Sequence, residues 1–234
     1  MDFFMDFQAK FIQNFIDDNR WLLILYGLRT TLTITFFALI LGVCMGFLTA
    51  LVRVTYDKTG KLRRLNTFAR FYLTVVRGTP MLVQLMIIYY VIFSPWPFVN
   101  SIIIAVIAFG INSGAYVAEI FRSGIMSIDP GQMEAGRSLG LTYNQTMRRI
   151  ITPQAIKNVL PALGNESISL LKETSVAGYI GIRELTRSGD IIRSRTYEAF
   201  FPLIAVAAIY LCLVLIMTAG VSRLERRLAV SDRR

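Results

Sequence analysis

Residues 30–52 read TTLTITFFALILGVCMGFLTALV, 23 consecutive positions without Asp, Glu, Lys or Arg. At about 1.5 Å per helical residue, that length crosses the roughly 30 Å of hydrocarbon in a bilayer. Residues 99–118 and 199–221 pass the same test, and residues 71–93 pass it with one charge, Arg77, near the start. Residues 159–180 are the weakest span, because Glu166, Lys172 and Glu173 interrupt Leu160, Leu163, Ile168, Leu170, Leu171, Val176 and Ile180. The sequence therefore predicts an all-α integral membrane protein with five transmembrane helices in a single domain, residues 1–234.

Composition agrees. Of the 234 residues, 54% are hydrophobic and only 17% charged, too apolar for an ordinary soluble domain. Lys and Arg set the orientation, since segments on the cytoplasmic side of a membrane retain positive charge. Placing the N-terminus outside and the C-terminus inside puts 17 of them in the inner segments 53–77, 122–157 and 223–234, against six in the outer segments 1–21 and 181–199. The net charge of +10 then reflects topology and anionic lipid, and nucleic acid is not needed to explain it. Met1-Asp2-Phe3-Phe4 lacks the basic start of a cleavable signal, so residues 1–21 read as an external amphipathic lead-in. Cys44 and Cys212 both fall in apolar stretches and make no spaced pair, so no metal site is predicted.

The polar connector 123–158 is the most structured of the loops. Asp129 suits a helix N-cap, Pro130 the first helical position and Gly131 the first turn; the helix continues through Met133, Glu134, Ala135 and Leu139. Gly140 permits a reversal, and Thr142-Tyr143-Asn144-Gln145 opens a second helix that Pro153 bends or restarts and that ends before Pro161.

The spacing Glu134-Ala135, Gly140, Ile150 and Pro153 resembles the EAA loop of bacterial ATP-binding-cassette import permeases. Gly136 and Thr152 depart from that pattern, standing where Ala and Leu are usual. Arg77-Gly78-Thr79-Pro80 with Gln84, the run from Gly114 to Ile125, and Leu170-Leu171-Lys172-Glu173-Thr174-Ser175 are similar to the polar amino acid subfamily of these permeases. The resemblance implies a cytoplasmic coupling helix docking on a separate ATPase subunit, which would carry the ATP and Mg. It also implies a second permease subunit, an extracellular solute-binding protein, a polar amino acid as cargo and the bacterial inner membrane as location.

The residues themselves narrow the path. Gly78 and Pro80 loosen the start of the second span, and this break either ends a helix or borders the translocation path together with Arg77, Thr79 and Gln84. Glu119 and Arg122, three apart, read as a structural pair. Glu166 is the acid deepest in a span and must face the bundle interior. Asn165, Glu166, Ser169 and Glu173 together form a candidate substrate-binding set for an ammonium group; in the plainer reading, Glu166 or Glu173 pairs with Lys172 or Arg29. No phosphate-binding Gly-x-x-x-x-Gly-Lys-Ser/Thr loop and no histidine occur, so the chain cannot by itself hydrolyse ATP by the usual chemistry; together with the resemblance, this implies a transport subunit and not an enzyme. Two rivals remain at this point: an ion-coupled carrier using Glu166 or Glu173, and a membrane scaffold or sensor.

Overall fold

A computed structural model describes residues 2–230. Among them every regular element is a helix. In chain order these are α1 (Asp2–Phe11), α2 (Trp21–Thr59), α3 (Arg63–Gly78), α4 (Met81–Ile87), α5 (Ser101–Met126), α6 (Pro130–Ser138), α7 (Tyr143–Thr146), α8 (Thr152–Glu173), α9 (Leu185–Thr196) and α10 (Phe200–Val230). Among the described residues α2, α5 and α10 are each long and apolar enough to cross a membrane, and α3 with the helix from Met81 to Ile92 makes a fourth if the bent pair counts as one.

Several helix boundaries differ from the sequence expectation. The stretch 71–93 is broken between Gly78 and Met81. The cause is local: Thr79 is extended (φ −125°, ψ 149°), as the residue before a proline prefers to be, and Pro80 has no N–H to continue the ladder. The stretch 159–180 is α-helical only to Glu173 and continues as 3-10 turns over Thr174–Ile180. Pro161 does not end a helix, because α8 runs straight through it. One lost hydrogen bond is outweighed where a helix buries Ala155, Val159, Ile168, Leu170 and Leu171 along its length. The connector 181–199 contains α9.

The chain divides into two compact units. One holds the residues up to Ala38, Met81–Phe109 and Ser169–Ile216; the other holds Leu39–Pro80, Gly110–Ile168 and the residues from Met217. In the first, Ile24, Leu185, Ile192 and Val206 form a core with Leu23, Leu28, Ile209 and Tyr210 packed against it. The lead-in is tied down there: the Thr196 hydroxyl donates to Asn14 Oδ1 at 2.8 Å, and both residues are buried. Glu184 is fully buried in the same unit, and its carboxylate caps α9 by accepting from the amides of Thr186 and Arg187, each at 2.6 Å. The Tyr210 hydroxyl donates to it at 3.4 Å. Desolvation pushes the Glu184 carboxyl above the ordinary carboxylate range, and the two backbone donors only partly oppose that.

In the second unit α2 and α5 approach closely. A Cβ at Gly46 would lie 2.5 Å from Val117 Cγ1 and 2.8 Å from the amide nitrogen of Ala118, so only glycine fits. Leu73, Val76, Ala115 and Ala118 form the core beside this contact, and the Tyr72 hydroxyl donates to the Ile111 carbonyl at 2.6 Å.

Gly46→Leu forces the two helices apart at a cost of about 1–3 kcal/mol, so its thermal midpoint in detergent falls; an unchanged midpoint would show that the contact yields freely. For Glu184 the sign follows from its raised value. Its contribution is complete below the ordinary carboxylate range and is lost as pH climbs through the folded value. The midpoint of the wild type relative to Glu184→Gln therefore decreases from pH ~4.5 to pH ~8, whereas a difference that grows with pH contradicts this account.

Candidate functional site

The connector between α5 and α8 is built by local chemistry. Asp129 accepts a hydrogen bond from the Gly131 amide at 2.7 Å, Pro130 occupies the first turn, and α6 follows to Ser138. Gly140 adopts φ +81°, where a side chain is disfavoured, and its amide donates to the Arg137 carbonyl at 3.0 Å. Arg137 Nη1 reaches the Leu141 carbonyl at 3.1 Å and holds the far side of the turn. Thr142 and Gln145 then form a reciprocal capping box that starts α7, with bonds of 2.8 and 3.3 Å.

The departure at Gly136 has a direct reason. A Cβ there would sit 2.5 Å from Thr146 Cγ2 and 3.1 Å from Ile150 Cδ1, so the larger Ala of the usual motif would push the two arms of the hairpin apart. Pro153 lies within an unbroken helical run that passes from α7 through a π-helical stretch over Met147–Ile151 into α8, so it does not restart the helix.

On the outer surface of this hairpin Gln132, Glu134, Ala135 and Arg137 are exposed, and Leu139 at the tip is 80% exposed. Beneath α6 a cleft of about 300 Å³ is lined by Lys58, Met126, Asp129, Met133, Glu134 and Ile151 among others. The hairpin is anchored inward by hydrogen bonds from Gln154 Nε2 to Gln132 Oε1 (3.3 Å) and from Asn158 Nδ2 to Ser127 Oγ (2.9 Å).

Along α8, Glu166 is half-buried and accepts a hydrogen bond from the fully buried Ser113 hydroxyl of α5 at 2.7 Å. Ser169 and Glu173, three and seven residues on, share its side of the helix and are also half-buried. Asn165, one residue before Glu166 and so on an adjoining side of the helix, is exposed, as is Lys172. At the helix break, Arg77 lies over the Tyr116 ring, 5.5 Å from its centre. Gly78 ends α3, Thr79 Oγ1 donates back to the Val75 carbonyl at 2.8 Å, and Gln84 is half-buried in α4. Glu119 and Arg122 form the expected pair at 2.5 Å, with Asp57 4.0 Å from the same guanidinium.

Glu184 is the polar residue that sequence reasoning overlooks. Its signal is an acid directly before the helix-forming run from Leu185, the position where a carboxylate satisfies free amides. Its contact with Tyr210, 26 residues further on, cannot be read locally.

The sequence pattern of the family described as "binding-protein-dependent transport system inner membrane component" matches residues 38–230. A putative glutamine transport system permease protein of Rickettsia typhi is 39% identical over 215 residues, covering 90% of this chain and 94% of its own. The arginine transport system permease protein ArtQ of Bacillus subtilis is 39% identical over 210 residues, with 89% and 94% covered. Among solved structures, an amino acid ABC transporter crystallised with histidines has a chain 46% identical, with a TM-score of 0.81, covering 88% of this chain and 94% of that one. The MetNI methionine ABC transporter, 21% identical with a TM-score of 0.77, shares the fold. These likenesses favour neither the ion-coupled carrier nor the scaffold. The EAA-type hairpin and the helices around it are those of a permease, and the chain belongs to the family of binding-protein-dependent transport system inner membrane components, of the amino acid ABC transporter type.

Proposed function

We propose that this chain forms the inner-membrane pathway of an ATP-driven importer that takes a polar amino acid from an extracellular binding protein. The exposed hairpin around Leu139 carries the proposal: it is capped at both ends, stiffened by the Gly136 contact and turned outward with an apolar tip. Such an element suits a groove on a separate ATPase subunit, which holds the ATP and Mg. A second permease, the same or related, completes the path. The Lys and Arg distribution supports an outer N-terminus and inner C-terminus, with α8 as the fifth span despite its charges.

Closure of the ATPase subunits on ATP moves α6, and the movement reaches the membrane through α8. That helix is continuous from Thr152 past Glu166, a rigid distance of about 21 Å. Shifting its base therefore shifts the Glu166 carboxylate, which is positioned by Ser113 and suited to an α-ammonium group. Glu173 extends the same acidic side, while Asn165 contributes from the neighbouring exposed face. The break at Thr79-Pro80, with Arg77, Gly78 and Gln84 flanking it, supplies irregular backbone of the kind that borders a water-filled path in a membrane protein.

Leu139→Asp alters an exposed side chain, so assembly in the membrane is retained while substrate-stimulated ATP hydrolysis and uptake in proteoliposomes both fall at least about tenfold. Normal uptake by that variant would remove the docking role. Glu166→Gln keeps the shape and the Ser113 partner but not the charge; uptake drops by about tenfold or more, while basal ATP hydrolysis persists. Unaltered uptake would leave Glu166 as a purely structural partner of Ser113.

A further inference from the structure

A second polar feature lies apart from the hairpin. An open cavity of about 510 Å³ in the unit containing α3 is walled by Arg53 of α2, Arg70 and Arg77 of α3, and Glu119 and Arg122 of α5. Four guanidinium groups thus face one carboxylate among the described lining residues, and that carboxylate is already taken by Arg122 at 2.5 Å. Arg77 and Arg53 are near enough to feel the Glu119 charge, yet with Asp57 also 4.0 Å from Arg122 a surplus of two positive charges remains.

The other arginines are held in place by neutral groups. Arg53 donates from Nη1 to Asn66 Oδ1 at 3.2 Å, and its Nε is buried with no hydrogen-bond partner. Arg70 lies over the Tyr56 ring at 5.8 Å and Arg77 over the Tyr116 ring at 5.5 Å. Stacking occupies the flat face of a guanidinium and leaves its edge N–H groups for an acceptor. Guanidinium groups gathered with too few carboxylates repel one another unless an anion offsets their charge.

We infer that this cavity binds a phosphate group through Arg53, Arg70 and Arg77. The forked N–H edges match tetrahedral phosphate oxygens, and the volume is that of a small-molecule site. Position favours a phospholipid headgroup as the source. Arg53 is the first charge after the uncharged stretch 30–52, so the cavity opens at the depth where hydrocarbon gives way to headgroups. Free phosphate offers the same chemistry, and the test separates the two.

The assembled transporter, purified with its partner subunits, is placed in nanodiscs of phosphatidylcholine doped with phosphatidylglycerol, and retained lipid is counted by native mass spectrometry. Phosphatidylglycerol is retained in preference to phosphatidylcholine; Arg70→Gln and Arg53→Gln each weaken that retention about tenfold, and Arg70→Lys falls between. Arg70 is exposed, so its variants remain informative if Arg53→Gln unfolds, which a thermal midpoint reveals. In lipid-free detergent, millimolar inorganic phosphate is titrated by calorimetry. Arginine-dependent binding of phosphate with no preference for phosphatidylglycerol identifies a soluble source and still supports the site. Retention of neither ligand, binding indifferent to both Gln variants, or a carboxylate of a neighbouring subunit occupying the cavity in the assembled transporter overturns the inference.

Discussion

Hydrocarbon contains no hydrogen-bond partner, so within it the backbone has to satisfy itself and every polar side chain needs an acceptor or donor inside the protein. Helices meet the first demand, and short local bonds meet much of the second. Thr35 Oγ1 donates to the Thr31 carbonyl at 2.8 Å, and Thr49 Oγ1 to that of Met45 at the same distance. Where the ladder is interrupted at Pro80, the Thr79 hydroxyl returns to Val75. The carboxylate of Glu166 is met by a buried serine, and that of Glu184 by two amides and a tyrosine.

Helices lying side by side in lipid gain little from burying apolar surface, because lipid tails are equally apolar. Close approach through small residues supplies the cohesion instead, and Gly46 against Val117 and Ala118 is the clearest instance. The hairpin of α6 and α7 uses the same device outside the span region, with Gly136 against Thr146. Its rigidity has a mechanical consequence. In the proposed importer, a loop fixed by an N-cap, a left-handed glycine and a capping box would pass displacement to α8 with little loss to bending.

Most of that hairpin is legible in the linear sequence. Asp129, Pro130, Gly140, Thr142 and Gln145 act within a few residues of themselves, and cap and turn chemistry is local. Pro161 misleads for the opposite reason: its local preference is to end a helix, and packing along α8 overrides it. The role of Gly136 is equally hidden, since only the folded hairpin brings Thr146 and Ile150 against it. Asn165 stands beside Glu166 in sequence, yet one residue on a helix is a turn of about 100° and places it on an exposed face.

Uncharged runs, basic connectors and the spaced residues of the EAA-type loop determined that the chain is a helical membrane protein of the permease family, because hydrophobic length and cap chemistry are properties of contiguous sequence. Tertiary structure decided the rest: the partner of Glu166 lies 53 residues away on α5, and Tyr210 lies 26 residues beyond Glu184. The cavity gathers arginines from three separate helices. Such juxtapositions follow from how helices pack, and packing is set by the shapes of whole helix faces that no local pattern encodes.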